Sequence, residues 1–539
     1  MLDILIKNGK IVDGTGNPWF YGDIGIQGDI IFSIGHLKGL EAKKIIDATG
    51  LFISPGFIDI HSHSDVTLLA NRFAESKIRQ GVTTEVNGNC GFSAFTTDRD
   101  NELYLGDGDA LKINNIDQVI GGGWSDFDTY RQFLLEEGIS INTATMIGHN
   151  CVRGAVMGED NQAPTKDQLK KMISLVEKAY EQGVLGFSTG LVYLPGCFGQ
   201  KDEIIELCKV FKGDGIYASH IRSLNDTFYE AIEEAVEIGE RSGMPIQLSH
   251  IVPCPPQWYT ANKLMKLINQ YRDNGIDVTC DVFPYTYGWT LSYCLCPPWA
   301  FEGGNEKLVE RLKDNEIRQK IIEDTRQYGA KSGGSSKRAL LKEGKWDKIW
   351  LAECEKNKEF VSLNFTEIAA RRKTDPFNAY FDILIEEEGH GKIMGGDRCE
   401  EDLQELVNYP YSMIASDGRI HAPYGLLSEM IEHPRNYGTF PRTIAEYVRN
   451  KQIIGLEEAI RKMTSFPAAR FNITRRGLLK EGYFADIVIF DYHKIQDLAS
   501  IKEPHRYAQG INHVIVNGML TIEQQKHLKT KNGRVITRR

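Results

Sequence analysis

The stretch Phe57-Ile-Asp-Ile-His-Ser-His63 is a short β-like apolar run that ends on two histidines. Two later runs, Gly215-Ile-Tyr-Ala-Ser-His220 and Pro245-Ile-Gln-Leu-Ser-His250, also end on histidine, and Asn89-Cys90-Gly91 follows a further run. The run Ile414-Ala-Ser-Asp417 ends on a carboxylate. Thiol, imidazole and carboxylate are the groups that bind Zn²⁺, and parallel strands bring their carboxyl ends to one rim. The sequence therefore predicts a zinc site at the ends of parallel strands.

The middle of the chain repeats a unit of helix and strand. His220, His250 and Asp281 each lie at the end of a strand-like run, 30 and 31 residues apart, which is about the length of one βα unit. Eight strand-like runs alternate with helical patterns, which favours an α/β fold of the TIM-like (β/α)₈ barrel type over an open sheet. The predicted strands are residues 57–61, 82–87, 142–148, 184–188, 215–219, 245–249, 276–282 and 411–416.

Both ends of the chain have a different pattern, in which short alternating runs are broken by Asn-Gly and Gly-Asp turns. This pattern is typical of β-hairpins and predicts one small β-sandwich domain built from both termini. The interval 283–410 is too long for one crossover, and its charged, Gly- and Lys-rich part predicts an inserted lid or subdomain. The predicted domains are 1–54 with 476–539 for the sandwich, 55–475 for the barrel, and 290–365 for the insertion.

Composition and charge limit the partners that this chain can have. The net charge is −10, from 63 basic and 73 acidic residues, without a basic tract, which argues against nucleic acid or an anionic membrane as a partner. No apolar run approaches the ~20 residues of a membrane span, and the first residues lack the pattern of a signal peptide. The ten cysteines show no paired spacing and favour reduced thiols. We therefore expect a cytoplasmic protein that acts on a small molecule.

Taken together, these motifs resemble the amidohydrolase superfamily and, within it, the N-acyl-D-amino-acid deacylase (D-aminoacylase) branch. The His-x-His pair is common to the superfamily, whereas Asn87-Gly-Asn-Cys-Gly91 and Tyr437-Gly-Thr-Phe-Pro-Arg442 are typical of the branch. The resemblance implies a metal-dependent enzyme acting on C–N bonds other than peptide bonds, through zinc-dependent hydrolysis of a linear amide, the deacylation of an N-acyl-D-amino acid. The stretches that carry it are 55–65, 81–91, 186–193, 281–285, 415–418, 433–442 and 482–488.

The resemblance also implies a ligand set for the metal. One tightly bound Zn²⁺ would be held by Cys90, His220 and His250, and a second, weaker site would use His61 and His63. Three protein ligands with an open position are the pattern of a catalytic rather than a structural zinc site.

Cys90 and Asp417 carry the chemistry that the resemblance implies. Two-metal amidohydrolases usually bridge their ions with a modified lysine on the fourth strand, but the run 184–190 contains no lysine, and the thiolate of Cys90 is the available substitute. Asp417 would take a proton from a metal-activated water and pass it to the leaving amine, as a general base and then a general acid. Water is then the nucleophile, so no covalent intermediate is expected.

Three further residues match positions that contact the substrate in the branch. Arg435 matches an arginine that binds the substrate α-carboxylate, and Tyr193 and Tyr285 match tyrosines of the same pocket. Val252 stands where the branch commonly has a second carboxylate-binding lysine, and Trp289 falls where a small hydroxyl residue is common. These departures leave open a bulkier, cyclic or less charged amide as the substrate.

Two alternatives to the deacylase hypothesis follow from the same sequence. A cyclic-amide hydrolase of hydantoinase or dihydroorotase type is favoured by Val252 and disfavoured by the motif around Cys90. A non-catalytic metal-binding barrel protein is disfavoured because every ligand position and Asp417 are present.

Overall fold

The architecture comes from a computed structural model of the chain, which describes residues 1–96, 124–429 and 433–538. The ranges 97–123 and 430–432, which the predicted barrel domain contains, lie outside the described residues. The strands are β1 (Leu2–Ile11), β2 (Phe20–Gln27), β3 (Ile30–Gly35), β4 (Ala42–Asp47), β5 (Phe52–Pro55), β6 (Phe57–Asp59), β7 (Val82–Asn87), β8 (Asn142–Thr145), β9 (Ile147–Gly148), β10 (Gly186–Gly190), β11 (Ile216–His220), β12 (Ile246–Leu248), β13 (Val278–Val282), β14 (Gly288–Leu291), β15 (Ile349–Glu353), β16 (Lys392–Gly395), β17 (Ser412–Ile414), β18 (Ile487–Phe490), β19 (Ile511–Val516), β20 (Met519–Glu523) and β21 (Lys526–His527).

The helices occupy most of the segments between the parallel strands and much of the interval 283–410. A π-helix, Thr443–Asn450, continues directly from the α-helix before it. The α-helices are α1 (Thr67–Ala70), α2 (Glu75–Ile78), α3 (Phe127–Glu137), α4 (His149–Met157), α5 (Lys166–Gln182), α6 (Lys201–Cys208), α7 (Phe228–Ser242), α8 (Ala261–Asp273), α9 (Gly304–Leu312), α10 (Asn315–Tyr328), α11 (Arg338–Lys342), α12 (Phe365–Arg372), α13 (Pro376–Glu386), α14 (Glu400–Asn408), α15 (Arg435–Arg442), α16 (Leu456–Met463) and α17 (Ser465–Arg470).

Parallel strands form the centre of the molecule. One sheet has the order β6-β7-β8 and the other the order β9-β10-β11-β12-β13-β17, with parallel pairing throughout. Only Met146 separates β8 from β9, and the chain after β17 lies beside the chain after β6, where Asp417 N donates to His61 O over 2.8 Å. Each of the eight segments predicted as strands overlaps one or two of these strands, although β10 and β11 extend one or two residues beyond their predicted ends. The predicted α/β class is confirmed.

Helix α5 illustrates how local sequence sets the helix–strand repeat. Thr165 caps its first turn in a reciprocal capping box with Gln168, and Gly183 ends it in the left-handed conformation (φ +95°) that glycine adopts without strain. Met172 and Val176 lie on its buried face and join the main hydrophobic cluster. The helix is thus fixed at both ends and packed along one side, and the chain leaves it directly towards β10.

The two ends of the chain contribute strands to one sheet of nine strands. Strand β5 lies in this sheet between β1, which it pairs in parallel, and β18, which it pairs antiparallel. Isoleucines from both ends, among them Ile6, Ile53 and Ile487, form its buried cluster. Only Gly56 separates β5 from β6, so this sheet is joined directly to the parallel strands.

The interval 283–410 folds as a unit that is larger than the predicted insertion. Strands β14 and β15 both pair antiparallel with β16, and helices α9 to α13 share with them a second hydrophobic cluster, which also includes Phe92 and Tyr193 from the strand ends. Strand β14 begins at Gly288, and β16, which pairs with both β14 and β15, ends at Gly395. The unit therefore begins before residue 290 and ends after residue 365. Within the described parts of the chain, no helix has the length and apolar character needed to cross a membrane.

Candidate metal centre

The predicted ligand residues lie at the carboxyl ends of parallel strands, as the sequence indicated. His61 and His63 follow β6, and Cys90 follows β7. His220 is the last residue of β11, and His250 lies two residues beyond β12. Since these ends share one rim, the side chains of residues far apart in sequence converge there.

Cys90 is at the centre of this cluster. Its sulfur lies 3.3 Å from Nε2 of His61, 3.5 Å from Nε2 of His250 and 3.8 Å from Nδ1 of His220. All four residues are buried. The structure thus brings together the thiol and the three imidazoles that the sequence placed on separate strands.

Asp417 lies on the other side of His61. Its Oδ1 is 3.4 Å from Nε2 of His61 and 3.1 Å from Nε2 of His63, and its Oδ2 accepts a 2.6 Å hydrogen bond from Nη1 of Arg435. The carboxylate therefore connects the two histidines of the His-x-His motif to a buried cation.

Three residues of the site have backbone φ angles that are unfavourable for residues other than glycine. Cys90, His250 and Asp417 all have positive φ angles, of 51°, 36° and 51°, although none of them is glycine. Such conformations cost free energy and are found where the surrounding structure fixes them, often at functional sites. His250 N donates to Oδ1 of Asp281 over 2.8 Å, and Asp417 N donates to His61 O over 2.8 Å. These hydrogen bonds hold His250 and Asp417 in place.

Asp281 contacts the ring of His61 and the backbone of His250, a role that the sequence alone did not assign. Its Oδ1 lies 3.2 Å from Nδ1 of His61 and accepts the backbone N–H of His250, while its Oδ2 accepts a 2.8 Å hydrogen bond from Gln247. A carboxylate on the far nitrogen of a ligand histidine fixes the ring and its tautomer. The regular spacing of His220, His250 and Asp281 was the signal that could have identified it.

A buried ion pair supports the turn that carries Asp417. Nζ of Lys77 lies 2.5 Å from Oδ2 of Asp59 and 2.7 Å from Oγ of Ser416, and it also donates to Gly418 O over 3.2 Å. Asp59 in turn accepts the backbone N–H of Ser416 over 2.9 Å. The residues on both sides of Asp417 are therefore anchored to β6 and α2. Nothing in the sequence of Lys77 distinguished it from a surface lysine.

The donor set fits a zinc ion. Ligand atoms of His61, Cys90, His250 and Asp417 all lie within 4.8 Å of one another. In a tetrahedral zinc site with Zn–S near 2.3 Å and Zn–N near 2.0–2.1 Å, a sulfur and a nitrogen lie about 3.5 Å apart. The distances from Cys90 to its three imidazole nitrogens, 3.3, 3.5 and 3.8 Å, bracket this value.

Burial keeps most of the imidazoles in the form that binds a metal. Loss of solvent lowers the pKa of His63 to about 4 and that of His220 to about 3, and it lowers the pKa of His250 well below its usual value. Neutral imidazole offers a lone pair, so these side chains are in the ligand form at neutral pH.

The pKa values of Cys90, His61 and Asp417 depend on neighbouring charges as well as on burial. Burial raises the pKa of the Cys90 thiol, so a nearby cation is needed to hold it as the thiolate that binds zinc. Burial would also lower the pKa of His61, but the negative charges of Cys90 and Asp281 outweigh it and raise that pKa well above its usual value. Burial by itself would raise the pKa of Asp417. The positive charge of Arg435 is the largest of the effects that oppose burial, and together they hold this pKa well below the ordinary range. Asp417 is therefore ionised.

Two cavities meet at Asp417. Both are also lined by Tyr193 and Trp289, so these rings form their shared wall. The first cavity continues along His220, His250, Ser336, Lys337 and Arg398. The second continues along His63, Cys90, Phe92, Leu291, Arg419 and Arg435.

The three predicted substrate contacts differ in where the structure puts them. Arg435 and Tyr193 line these cavities, with the Tyr193 ring 5.0 Å from that of His220. Tyr285 is not among the residues that line either cavity; its hydroxyl lies 3.4 Å from Oδ2 of Asp497. Phe283 lies nearer the site, with its ring 3.8 Å from Cζ of Arg398 and 4.7 Å from that of Arg435.

A family model described as "Amidohydrolase family" matches residues 44–281 and 425–522 of the chain, which is more than half of it.

The chain belongs to the amidohydrolase family.

The similarity of this amidohydrolase to known proteins covers almost its full length. A D-aminoacylase from Alcaligenes xylosoxydans xylosoxydans is 31% identical, over 99% of this chain and 98% of its own. An N-acyl-D-glutamate deacylase from the same organism is 29% identical, over 100% of this chain and 97% of its own. A crystal structure of N-acyl-D-glutamate deacylase from Bordetella bronchiseptica, in complex with zinc and a phosphonate inhibitor, superposes with a TM-score of 0.81 at 29% identity, over 99% of each chain. The amidohydrolase is thus a metal-dependent enzyme acting on C–N bonds other than peptide bonds, in the branch that includes D-aminoacylase.

Several residues of the amidohydrolase site come from the unit between β13 and β17, and of these the sequence had singled out Trp289 but not Lys337 or Arg398. Trp289 lies on β14, Lys337 precedes α11, and Arg398 follows β16. They are brought to the parallel strands only by the packing of that unit. Val252 is buried in the main hydrophobic cluster.

Proposed function

We propose that this amidohydrolase hydrolyses the linear amide bond of an N-acyl-D-amino acid, releasing a carboxylic acid and the free D-amino acid. The observation that carries the proposal is the geometry at Cys90, whose sulfur lies within 3.3 to 3.8 Å of three imidazole nitrogens next to an ionised Asp417. The full-length similarity to D-aminoacylase and N-acyl-D-glutamate deacylase supports the substrate class.

The fold that presents this site is a (β/α)₈ barrel formed by the two parallel sheets together. The hydrogen bonds from Asp417 N to His61 O and from His63 N to Gly418 O support closure of the barrel between β17 and β6. Residues 1–54 and 476–539 form the β-sandwich domain and 55–475 the barrel domain, supported by the sheet that both termini share.

Cys90, His220 and His250 hold the tightly bound zinc, and His61 and His63 belong to a second, weaker site. Support comes from the 3.5 and 3.8 Å distances from the sulfur to the imidazole nitrogens of His250 and His220. When bound there, zinc lowers the pKa of water and polarises the amide carbonyl.

Asp417 moves the proton. As an ionised carboxylate beside His61 and His63, it accepts a proton from the attacking water and returns it to the amine nitrogen as the C–N bond breaks. Arg435 holds Oδ2, so Oδ1 is the oxygen that faces the reacting groups.

The substrate is held in the cavities that meet at Asp417. Arg435 and Tyr193 contact its amino-acid part, supported by their place in the cavity lining. Tyr285 remains a sequence prediction, since its hydroxyl is turned towards Asp497. Trp289 and Tyr193 exclude water from the region between the two cavities.

The test is a substrate panel with zinc-loaded enzyme. N-acetyl-D-amino acids, their L-enantiomers and hydantoins are compared by release of the free amino group or by ring opening. We expect turnover of the D-enantiomers and little of the L-enantiomers. Faster opening of hydantoins than deacylation would instead support a cyclic-amide hydrolase, and absence of turnover on every N-acyl-D-amino acid would refute the proposal.

A further inference from the structure

Arg398 extends into the same cavity as His220, His250 and Asp417, although it comes from the segment after β16. We infer that Arg398 binds a carboxylate of the substrate and so determines which amides the enzyme accepts. The inference rests on the proposed deacylase function, whose substrates carry a carboxylate.

The guanidinium of Arg398 is a buried cation with free hydrogen-bond donors. The residue is only 9% exposed, and neither its Nε nor its Nη1 has a hydrogen-bond partner among the described residues. A guanidinium stays protonated in proteins, so it cannot escape this situation by losing charge. A buried cation without a partner is costly, and the usual resolution is an anion in contact with it.

The position of Arg398 is fixed even though its donors are free. Its guanidinium carbon lies 3.8 Å from the centroid of the Phe283 ring, and its backbone N–H donates to Thr286 O over 3.2 Å. Stacking on an aromatic face engages the flat side of the guanidinium and leaves its N–H edges for a bidentate contact. The side chain is therefore preorganised for a planar anion that accepts two hydrogen bonds at once, such as a carboxylate.

Arg398 and Lys337 both lower the pKa of Asp397 by their charge, but Asp397 takes its hydrogen bonds from Lys337 and Ser336 rather than from Arg398. Nζ of Lys337 lies 3.2 Å from Oδ2 of Asp397, which also accepts a 2.6 Å hydrogen bond from Ser336. Asp417, the other carboxylate of the lining, is bound to Arg435 over 2.6 Å. Each carboxylate of this lining is thus hydrogen-bonded to a cation other than Arg398.

A single substrate carboxylate would balance this charge while its amide lies in the same cavity as His220 and His250. Two carboxylates have the required chemistry: the α-carboxylate of any N-acyl-amino acid and the side-chain carboxylate of an acidic one. Either would make charge-assisted hydrogen bonds to the free N–H edges of Arg398.

The experiment compares Arg398→Ala and Arg398→Lys with the wild type on two matched pairs of substrates. The first pair is N-acetyl-D-methionine and its carboxamide, which lacks the α-carboxylate. The second is N-acetyl-D-glutamate and N-acetyl-D-glutamine, which differ in the side-chain carboxylate. Arg241→Ala, which removes a half-exposed surface arginine paired with Glu237 and Asp202, is the control variant.

For Arg398→Ala we expect kcat/KM on the carboxylate-bearing member of one pair to fall by roughly 10- to 100-fold, mainly through KM, with little change for its amide partner. Loss of preference within the methionine pair assigns Arg398 to the α-carboxylate, and loss only within the glutamate pair assigns it to the side chain. Arg398→Lys should recover part of the lost kcat/KM, because lysine keeps the positive charge but cannot donate the two parallel hydrogen bonds of a guanidinium.

Unchanged preference in both pairs, with wild-type zinc content, would overturn the inference while leaving the proposed function intact. A residue that only supported the fold would lower the melting temperature of Arg398→Ala and slow every substrate alike, and that result would also overturn it. If the wild type deacylates none of the four, the proposed function fails. Calorimetric binding of the same pairs then decides the role of Arg398, because only carboxylate ligands should bind more weakly to Arg398→Ala.

Discussion

Nη1 of Arg435 donates a 2.6 Å hydrogen bond to Oδ2 of Asp417, while Oδ1 of the same carboxylate lies 3.1 Å from Nε2 of His63. The two oxygens therefore have different surroundings: one is held by a cation and the other faces the metal-binding histidines. This division fixes the orientation of the carboxylate, as the proposed proton transfer by Asp417 requires.

Replacing Asp417 with asparagine should abolish proton transfer without removing the side-chain shape. We expect kcat to fall by roughly 10²- to 10⁴-fold, because this is the usual contribution of a general acid–base group. Steady-state kinetics with metal analysis measures it. A variant with normal zinc content and near wild-type kcat would show that another group moves the proton.

Replacing Cys90 with serine should remove the tightly bound zinc. Changes to residues that merely orient metal ligands cost 10- to 100-fold in metal affinity, so loss of a direct ligand should weaken binding by at least roughly 100-fold. Metal content after dialysis against a chelator gives the readout, and Cys197→Ser, which changes a partly exposed thiol, is the control. Retention of zinc by Cys90→Ser would place the tight site elsewhere.

Replacing Arg435 with glutamine should shift the pH dependence of the reaction. Burial raises the pKa of Asp417, and the charge of Arg435 is the leading influence that lowers it, so the pKa rises when that charge is removed. Asp417 accepts a proton only when ionised, and activity is lost as the pH falls through its pKa. The acidic limb of the kcat/KM profile should therefore move to higher pH. An unmoved or lowered limb would contradict the assignment.

The pair formed by Lys77 and Asp59 should be critical for stability. Both side chains are fully buried, and removing one partner leaves an uncompensated charge. We expect Lys77→Met to lower the free energy of unfolding by about 3–5 kcal/mol, measured by denaturant titration. The double variant Lys77→Met/Asp59→Leu should recover much of this loss. A double variant as unstable as the sum of both single variants would mean that the two charges do not interact.

Much of the site was readable from the sequence because its residues follow apolar runs of a regular pattern. His61, His63, Cys90, His250 and Asp417 each stand just after a strand, and parallel strands bring their carboxyl ends together. A local rule, strand followed by ligand, was therefore enough to assemble a site from distant positions. The spacing of the helix–strand units supplied the α/β class in the same way.

Tyr285 is a predicted substrate contact to which the strand-end rule does not apply. It was predicted to contact the substrate because it matches a pocket tyrosine of the branch, and its hydroxyl lies 3.4 Å from Oδ2 of Asp497. Phe283, two residues earlier, lies against both Arg398 and Arg435. The direction of a side chain beyond the end of a strand depends on the packing of the loop, which the sequence pattern does not encode.

The sequence by itself predicted the α/β class and the convergence of a thiol, imidazoles and a carboxylate at strand ends, because both depend on short patterns and on the fixed geometry of parallel strands. Only the tertiary structure decided the partners of these groups. Lys77 supports Asp417 through a buried ion pair, Asp281 orients His61, and Arg398 reaches the cavity from beyond β16. The cause is physical: the energy of a buried charge depends on which distant charges and dipoles surround it, and chain folding alone sets those distances.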